Sequence, residues 1–163
     1  MSQVKCYEQR LFQYAAVLLI CLFPLLVHAD SGKELSSGES VYVPVYSNVY
    51  AGPKANPVQL AAILSIHNTD PKHAITILKV DYYDSNGKFV ESYVEKPLTL
   101  KSFTHIYFYL KEYDKRGGPG ANFLVKWRAE KKVNQPIIQA LMLGSRSGIS
   151  FTTSGQIITE QGD

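Results

Sequence analysis

Residues 66–90 read IHNTDPKHAITILKVDYYDSNGKFV, two clusters of turn-forming residues around a run of alternating apolar and polar side chains. Asn68-Thr69-Asp70-Pro71 forms the first cluster. Asn and Asp fold their side chains back onto the main chain, and Pro71 presets its own φ while pushing Asp70 into an extended conformation. Ser85-Asn86-Gly87-Lys88 forms the second, and its Asn-Gly pair tolerates the positive φ angles of a type I′ hairpin turn. Between them Thr76, Leu78, Val80 and Tyr82 mark one face of a strand. With Val58, Leu60, Ala62, Leu64 and Ile66 ahead of it, the segment 58–96 reads as three consecutive antiparallel strands. Asp70, Asp84 and Asn86 are then turn chemistry rather than a reactive cluster.

The same period of two runs through the chain after residue 38, in the Val, Ile, Tyr, Phe and Thr that suit a pleated, half-buried surface. Val41, Val43 and Val45 begin it. Pro44 removes a backbone donor there, so this strand is expected at a sheet edge. Leu98 and Leu100 lead to Ile106, Phe108 and Leu110; after the break Arg116-Gly117-Gly118-Pro119-Gly120, the residues Phe123, Val125, Trp127 and Ala129 share a face. Residues 137–143 form a further apolar segment, and Gly155 separates a last short strand pair around 149–151 and 157–158. No segment has the 3.6-residue period of a helix. Seven or eight short strands with turn signals about every dozen residues predict an all-β chain. The expected architecture is a single immunoglobulin-like antiparallel sandwich over 38–159, after a linker at 30–37 and before a tail at 160–163.

Lys5 and Arg10 precede an apolar run, residues 11–27, that ends at His28-Ala29, the order of a secretory signal. Gln13 and Pro24 interrupt the run, which leaves it short of the roughly 20 apolar residues of a spanning helix. Residues 1–29 therefore read as a signal peptide cut after Ala29, with an uncleaved membrane anchor through 11–27 as the alternative. In both cases the remainder is exported, to the periplasm or the cell surface. Cys6 and Cys21 both lie in this segment, so the exported domain must hold together by its core, without disulfides. The 17 Lys and Arg against 14 Asp and Glu give a net charge of +3, and no basic tract exceeds Lys131-Lys132. That balance lacks the dense basic footprint of a nucleic-acid binder and excludes that partner.

Reactive constellations are few. Gly144-Ser145-Arg146-Ser147-Gly148 has Arg146 where a nucleophile elbow needs serine, and an all-β chain lacks the strand-to-helix turn as well. Gly117-Gly118-Pro119-Gly120 can turn main-chain amides toward an anion, yet it lacks the Gly-Lys-Ser/Thr ending of a phosphate loop and reads as a wide turn. Asp81 and Asp84 leave opposite faces of a strand, and Glu91 and Glu95 share one only if that strand runs on undisturbed. His67, Asp70 and His73 flank one turn and are the candidates for a metal, with His105 further along. A zinc site needs three or four converging ligands, and no HxH, HExxH or cysteine pair fixes such convergence here. No catalytic residue and no cofactor is expected.

Aromatic residues carry the clearest remaining signal. With Ile106, Phe108 and Leu110 inward, His105, Tyr107 and Tyr109 face outward; inward Phe123, Val125 and Trp127 turn Lys126 and Arg128 out, and Val80 and Tyr82 expose Tyr83. Tyr83, Tyr107, Tyr109, Lys126 and Arg128 are therefore candidates for one recognition surface, flat aromatic faces beside cations, suited to a glycan ring, a peptide strand or an anionic polymer. Cross-strand pairing that only stabilises the sheet is the plain alternative.

Four blocks, SGESVYVPVYSNVY, LSIHNTDPKHAITILKVDYYDSNGKFV, GGPGANFLVKWRAE and GISFTTSGQII, occur in this order over nearly all of residues 36–159. In them the chain resembles an exported bacterial family of domains of unknown function, family 3124, with immunoglobulin-like sandwich character. The resemblance implies one all-β domain outside the cytoplasm and brings no activity, substrate or catalytic residue with it. Three functions of different class follow. The preferred one is a non-catalytic recognition or adaptor module of the cell envelope whose partner is an envelope protein or glycan. The others are a small metal protein or enzyme using His67 and His73, and a chaperone-like or structural protein that adds an edge strand, residues 41–46, to a partner's sheet.

Overall fold

The computed structural model describes residues 34–159, and these form twelve β-strands with no helix. The readings of a signal segment and of a C-terminal tail fall on residues outside the described ones. The strands are β1 (Ser36–Val45), β2 (Asn48–Ala51), β3 (Asn56–Gln59), β4 (Ala61–His67), β5 (Ile75–Tyr83) and β6 (Phe89–Ser92), then β7 (Leu98–Leu100), β8 (His105–Leu110), β9 (Ala121–Val133), β10 (Ile137–Gly144), β11 (Ile149–Ser154) and β12 (Gln156–Ile158). Six of them make one sheet in the order β12-β1-β9-β5-β6, with β7 also paired to β5. Four make a second, β11-β10-β4-β8, and β2 with β3 forms a separate hairpin. Every pair is antiparallel.

The inner faces of the two sheets close on one core. Val41, Val43, Val80, Tyr82, Phe123, Val125 and Trp127 enter it from the larger sheet, and Leu64, Ile66, Ala140 and Met142 from the smaller, all buried. Tyr93 bridges the layers, its ring edge-to-face with Phe108 on one side and Phe123 on the other. Each such side chain contributes about 1.5–3 kcal/mol by leaving water, which is how a sandwich without disulfides is held. The alternation expected in β8 and β9 is present: Phe123, Val125 and Trp127 are buried, while His105, Tyr107, Tyr109 and Arg128 are exposed.

Several connections differ from the sequence reading. The segment 58–96 is not three consecutive paired strands, because β4 belongs to the four-stranded sheet and β5 to the six-stranded one. Residues 68–74 are an arch between layers. The second turn is a hairpin, but of another type. Only Gly87 has a positive φ (76°); its N–H donates to the Asp84 carbonyl, and Asp84 Oδ1 accepts from the Asn86 and Lys88 amides. That is a type I turn closed by a left-handed glycine, in place of type I′. Within β5 the expected face is out of phase in its first half. Ile75 and Ile77 are fully buried, and a register shift between Ile77 and Lys79 returns Val80 and Tyr82 to the core.

The strand containing Pro44 is not a sheet edge either. β1 pairs with β9 along its length and with β12 at Ser40–Tyr42; β12 has ended by Pro44, whose carbonyl accepts from Thr153 Oγ1 at 2.6 Å. Of residues 41–46 only Val41 and Tyr42 are paired on both sides; from Val43 to Val45 β9 is the one strand partner, so the donor that Pro44 lacks falls where no strand needs it. Leu60 breaks the expected second strand into β3 and β4, and the β2–β3 hairpin turns through Gly52 (φ 74°) and Ala55 (φ 47°), which raises the count beyond seven or eight. β11 and β12 do not pair with each other. Gly155 carries the chain between the sheets at a point where a Cβ would sit 2.6 Å from Val41 Cγ1 and 3.0 Å from the Ile138 carbonyl oxygen.

Candidate functional site

At one end of the six-stranded sheet, Thr76 of β5 stands opposite Arg128 of β9 on one side and Thr99 of β7 on the other. The arch after Pro71 brings Lys72 and His73 alongside, and the far end of β9 adds Glu130 and Lys131. Together they line a pocket of about 510 Å³. Three cations, Lys72, Arg128 and Lys131, face it against one carboxylate. Among the described residues none of these three cations takes part in an ion pair. Positive charge in excess of the single carboxylate raises the local concentration of anions, and the threonine hydroxyls offer neutral hydrogen bonds to the same guest.

One buried carboxylate joins two walls of this pocket. Asp70 Oδ1 accepts from the backbone amides of Lys72 (2.9 Å) and His73 (2.8 Å) and lies 3.1 Å from His73 Nδ1, while Oδ2 accepts from the Asn134 amide (3.1 Å) just past β9. The Lys72 amide, followed by those of Asn134 and His73, holds its pKa at about 2 against the opposing effect of burial. Asn68 extends the knot. Its side-chain amide donates to the carbonyls of His73 (2.9 Å), Leu100 (3.1 Å) and Lys101 (3.0 Å), and its Oδ1 accepts from the Asp70 amide. On that third loop Phe103 stands 73% exposed at a φ of 57°, a strained conformation for a bulky residue.

The five residues expected to form one surface do not share one. Tyr107 and Tyr109 lie on β8 of the four-stranded sheet, whereas Tyr83, Lys126 and Arg128 lie on β5 and β9 of the other. The arch at 68–74 sends β4 to one layer and β5 to the other, and β8 pairs with β4 while β9 pairs with β5. Of the five, Arg128 alone lines the pocket. Tyr83 packs edge-to-face with Phe89 at 5.8 Å. Lys72, Lys131, Thr76 and Thr99 escaped the sequence reading, since nothing local says that residue 72 comes to lie beside residue 131.

The remaining candidates separate in the same way. His73 faces Asp70, while His67 stacks on His105 with ring centroids 5.2 Å apart. No group of three or more His, Cys, Asp or Glu positioned to hold a metal occurs among the described residues. Ser145 Oγ donates to Glu112 Oε2 at 2.5 Å and Ser147 Oγ donates to the Gly144 carbonyl, so the Gly144–Gly148 segment is a tied turn. Glu91 pairs with Arg116 rather than with Glu95, β6 having ended at Ser92. In the glycine-rich break the Gly117 carbonyl accepts from Ser85 and the Gly118 carbonyl from the Ser47 amide, as a wide turn requires.

The solvent side of the smaller sheet is of different character. No residue of β4, β8, β10 or β11 is Lys, Arg, Asp or Glu. Its outward rows run His105–His67–Ile137, Tyr107–Ser65–Gln139–Ser154 and Tyr109–Ile63–Leu141–Thr152.

Among curated proteins none matches the chain. A solved crystal structure, that of Thermotoga maritima 1070, is similar at 11% identity and a TM-score of 0.43, over 75% of this chain and 96% of that one. A family model described as "Protein of unknown function (DUF3124)" matches residues 38–158, and the chain belongs to that family.

Proposed function

We propose that this chain is an exported, non-catalytic recognition module of the bacterial cell envelope, and that its cationic pocket takes an anionic group (phosphate, sulfate or carboxylate) borne by an envelope glycan. The observation that carries this reading is the cluster of Lys72, Arg128 and Lys131 around one pocket without ion-pair partners among the described residues. Asp70 ties two of the walls before any guest arrives, which lowers the ordering cost of binding. Export rests on the order of charge, apolar run and small residue in 1–29.

The test is retention of the exported domain on heparin, a sulfated and carboxylated glycan, compared with neutral dextran. Retention on heparin that weakens in Arg128→Ala/Lys131→Ala, but not in Lys54→Ala/Lys88→Ala with the same loss of charge, supports the pocket. Equal weakening in both variants would mean that overall charge alone is responsible. N-terminal sequencing of envelope-derived protein tests export separately: a start at Asp30 supports cleavage, and a start at Met1 in a cytosolic fraction overturns it.

A further inference from the structure

From the same chain, and independently of the pocket, we infer a second binding site: the cross-strand pair His67 and His105 chelates a divalent transition-metal ion that favours imidazole, of the Cu²⁺, Ni²⁺ or Zn²⁺ class. The two residues are directly opposed on β4 and β8, their rings lie at 14° to one another, and their centroids are 5.2 Å apart. Backbone pairing alone keeps such side chains within reach, so little freedom is lost when both bind one ion. Metal–nitrogen bonds of about 2.0–2.1 Å need the two donor nitrogens roughly 3 Å apart with both ring planes directed at the ion, so binding requires the imidazoles to turn out of their stacked arrangement.

The surroundings favour this use of the pair. His105 is exposed and His67 half-buried, so an ion has access. The face carries no Lys or Arg to repel a cation and no Asp or Glu to draw hard ions such as Ca²⁺ or Mg²⁺. Two protein ligands leave coordination positions open to water or to a donor from a bound partner. His73, which the sequence reading grouped with His67, faces Asp70 instead and takes no part.

Titration of the chelator-treated full chain with Cu²⁺, followed by calorimetry and electron paramagnetic resonance, tests the assignment. The expected result is a site of one-to-one stoichiometry with two nitrogen ligands. His67→Gln and His105→Gln should each weaken it at least tenfold and His73→Gln should leave it intact, with unchanged circular dichroism in all three. Wild-type affinity in either of the first two variants, or an equal loss in His73→Gln, overturns the proposal.

Discussion

The solvent face of the four-stranded sheet is made of Tyr, His, Ile, Leu, Ser, Thr and Gln, whereas that of the six-stranded sheet carries Lys79, Lys126 and Arg128, with Asp81 buried beneath Lys79. Both sheets alternate, but the larger one sends the fully buried rings Tyr82, Phe123 and Trp127 into the core and the smaller one aliphatic side chains and Met142. The sharper difference is the use of the positions that the core leaves free. At one end of the larger sheet Arg128 is joined by Lys72 and Lys131 around a pocket, where field lines concentrate and a charged guest gains most. The smaller sheet keeps charge out, and its polar chemistry is confined to hydroxyls, one amide and two imidazoles. The two proposed sites thereby lie on different sheets of one core.

The largest effect is expected where the two faces are joined. Gly155→Val puts a side chain against Val41 and the Ile138 carbonyl, costs about 1–3 kcal/mol or more, and should lower the thermal unfolding midpoint while weakening both faces together. Loss of one face with the other intact would break the picture of one shared core. Next comes the pocket: Arg128→Ala/Lys131→Ala should reduce affinity for a sulfated glycan about tenfold, about 1.4 kcal/mol, without moving the midpoint. His67→Gln should leave that affinity alone, and if it does not, the two faces communicate.

Ionic strength sharpens the contrast further. Between 0.1 M and 1 M salt the screening length falls from about 10 Å to about 3 Å, so glycan retention should drop severalfold while copper binding by the imidazole pair stays nearly constant. The smallest effect concerns acid. Asp70 has its carboxyl pKa lowered from 3.8 to about 2 in the folded chain, so its contribution is complete above the unfolded value and is lost as pH falls from about 4 toward 2. In Asp70→Asn the acid limb of a stability–pH profile should flatten and the neutral-pH midpoint should drop, because the bond from the Asn134 amide to Oδ2 is lost. An unchanged limb would remove Asp70 as the tie between the pocket walls.

Much of this was legible residue by residue. The inward set Phe123, Val125, Trp127 and the outward set His105, Tyr107, Tyr109 followed from alternation, and Asp84 and Gly87 do form a turn. The β5 face was misread because a bulge between Ile77 and Lys79 resets the phase without any Gly or Pro to announce it. His67 was singled out with the wrong partners: proximity in sequence pointed to Asp70 and His73, proximity in space to His105. The pocket was invisible, since Lys72, Thr99 and Arg128 stand on three separate segments.

By itself the sequence determined which side chains of most strands turn toward the core and which toward water, because a strand's period of two is a property of neighbouring residues along the chain. It also determined where the chain must turn, through residues whose own side chains or φ angles make turns cheap. Only the tertiary structure decided which strands share a sheet. Asn68 and Asp70 satisfy amides and carbonyls as far away as Leu100 and Asn134, and those distant bonds make residues 68–74 an arch between layers instead of a hairpin within one.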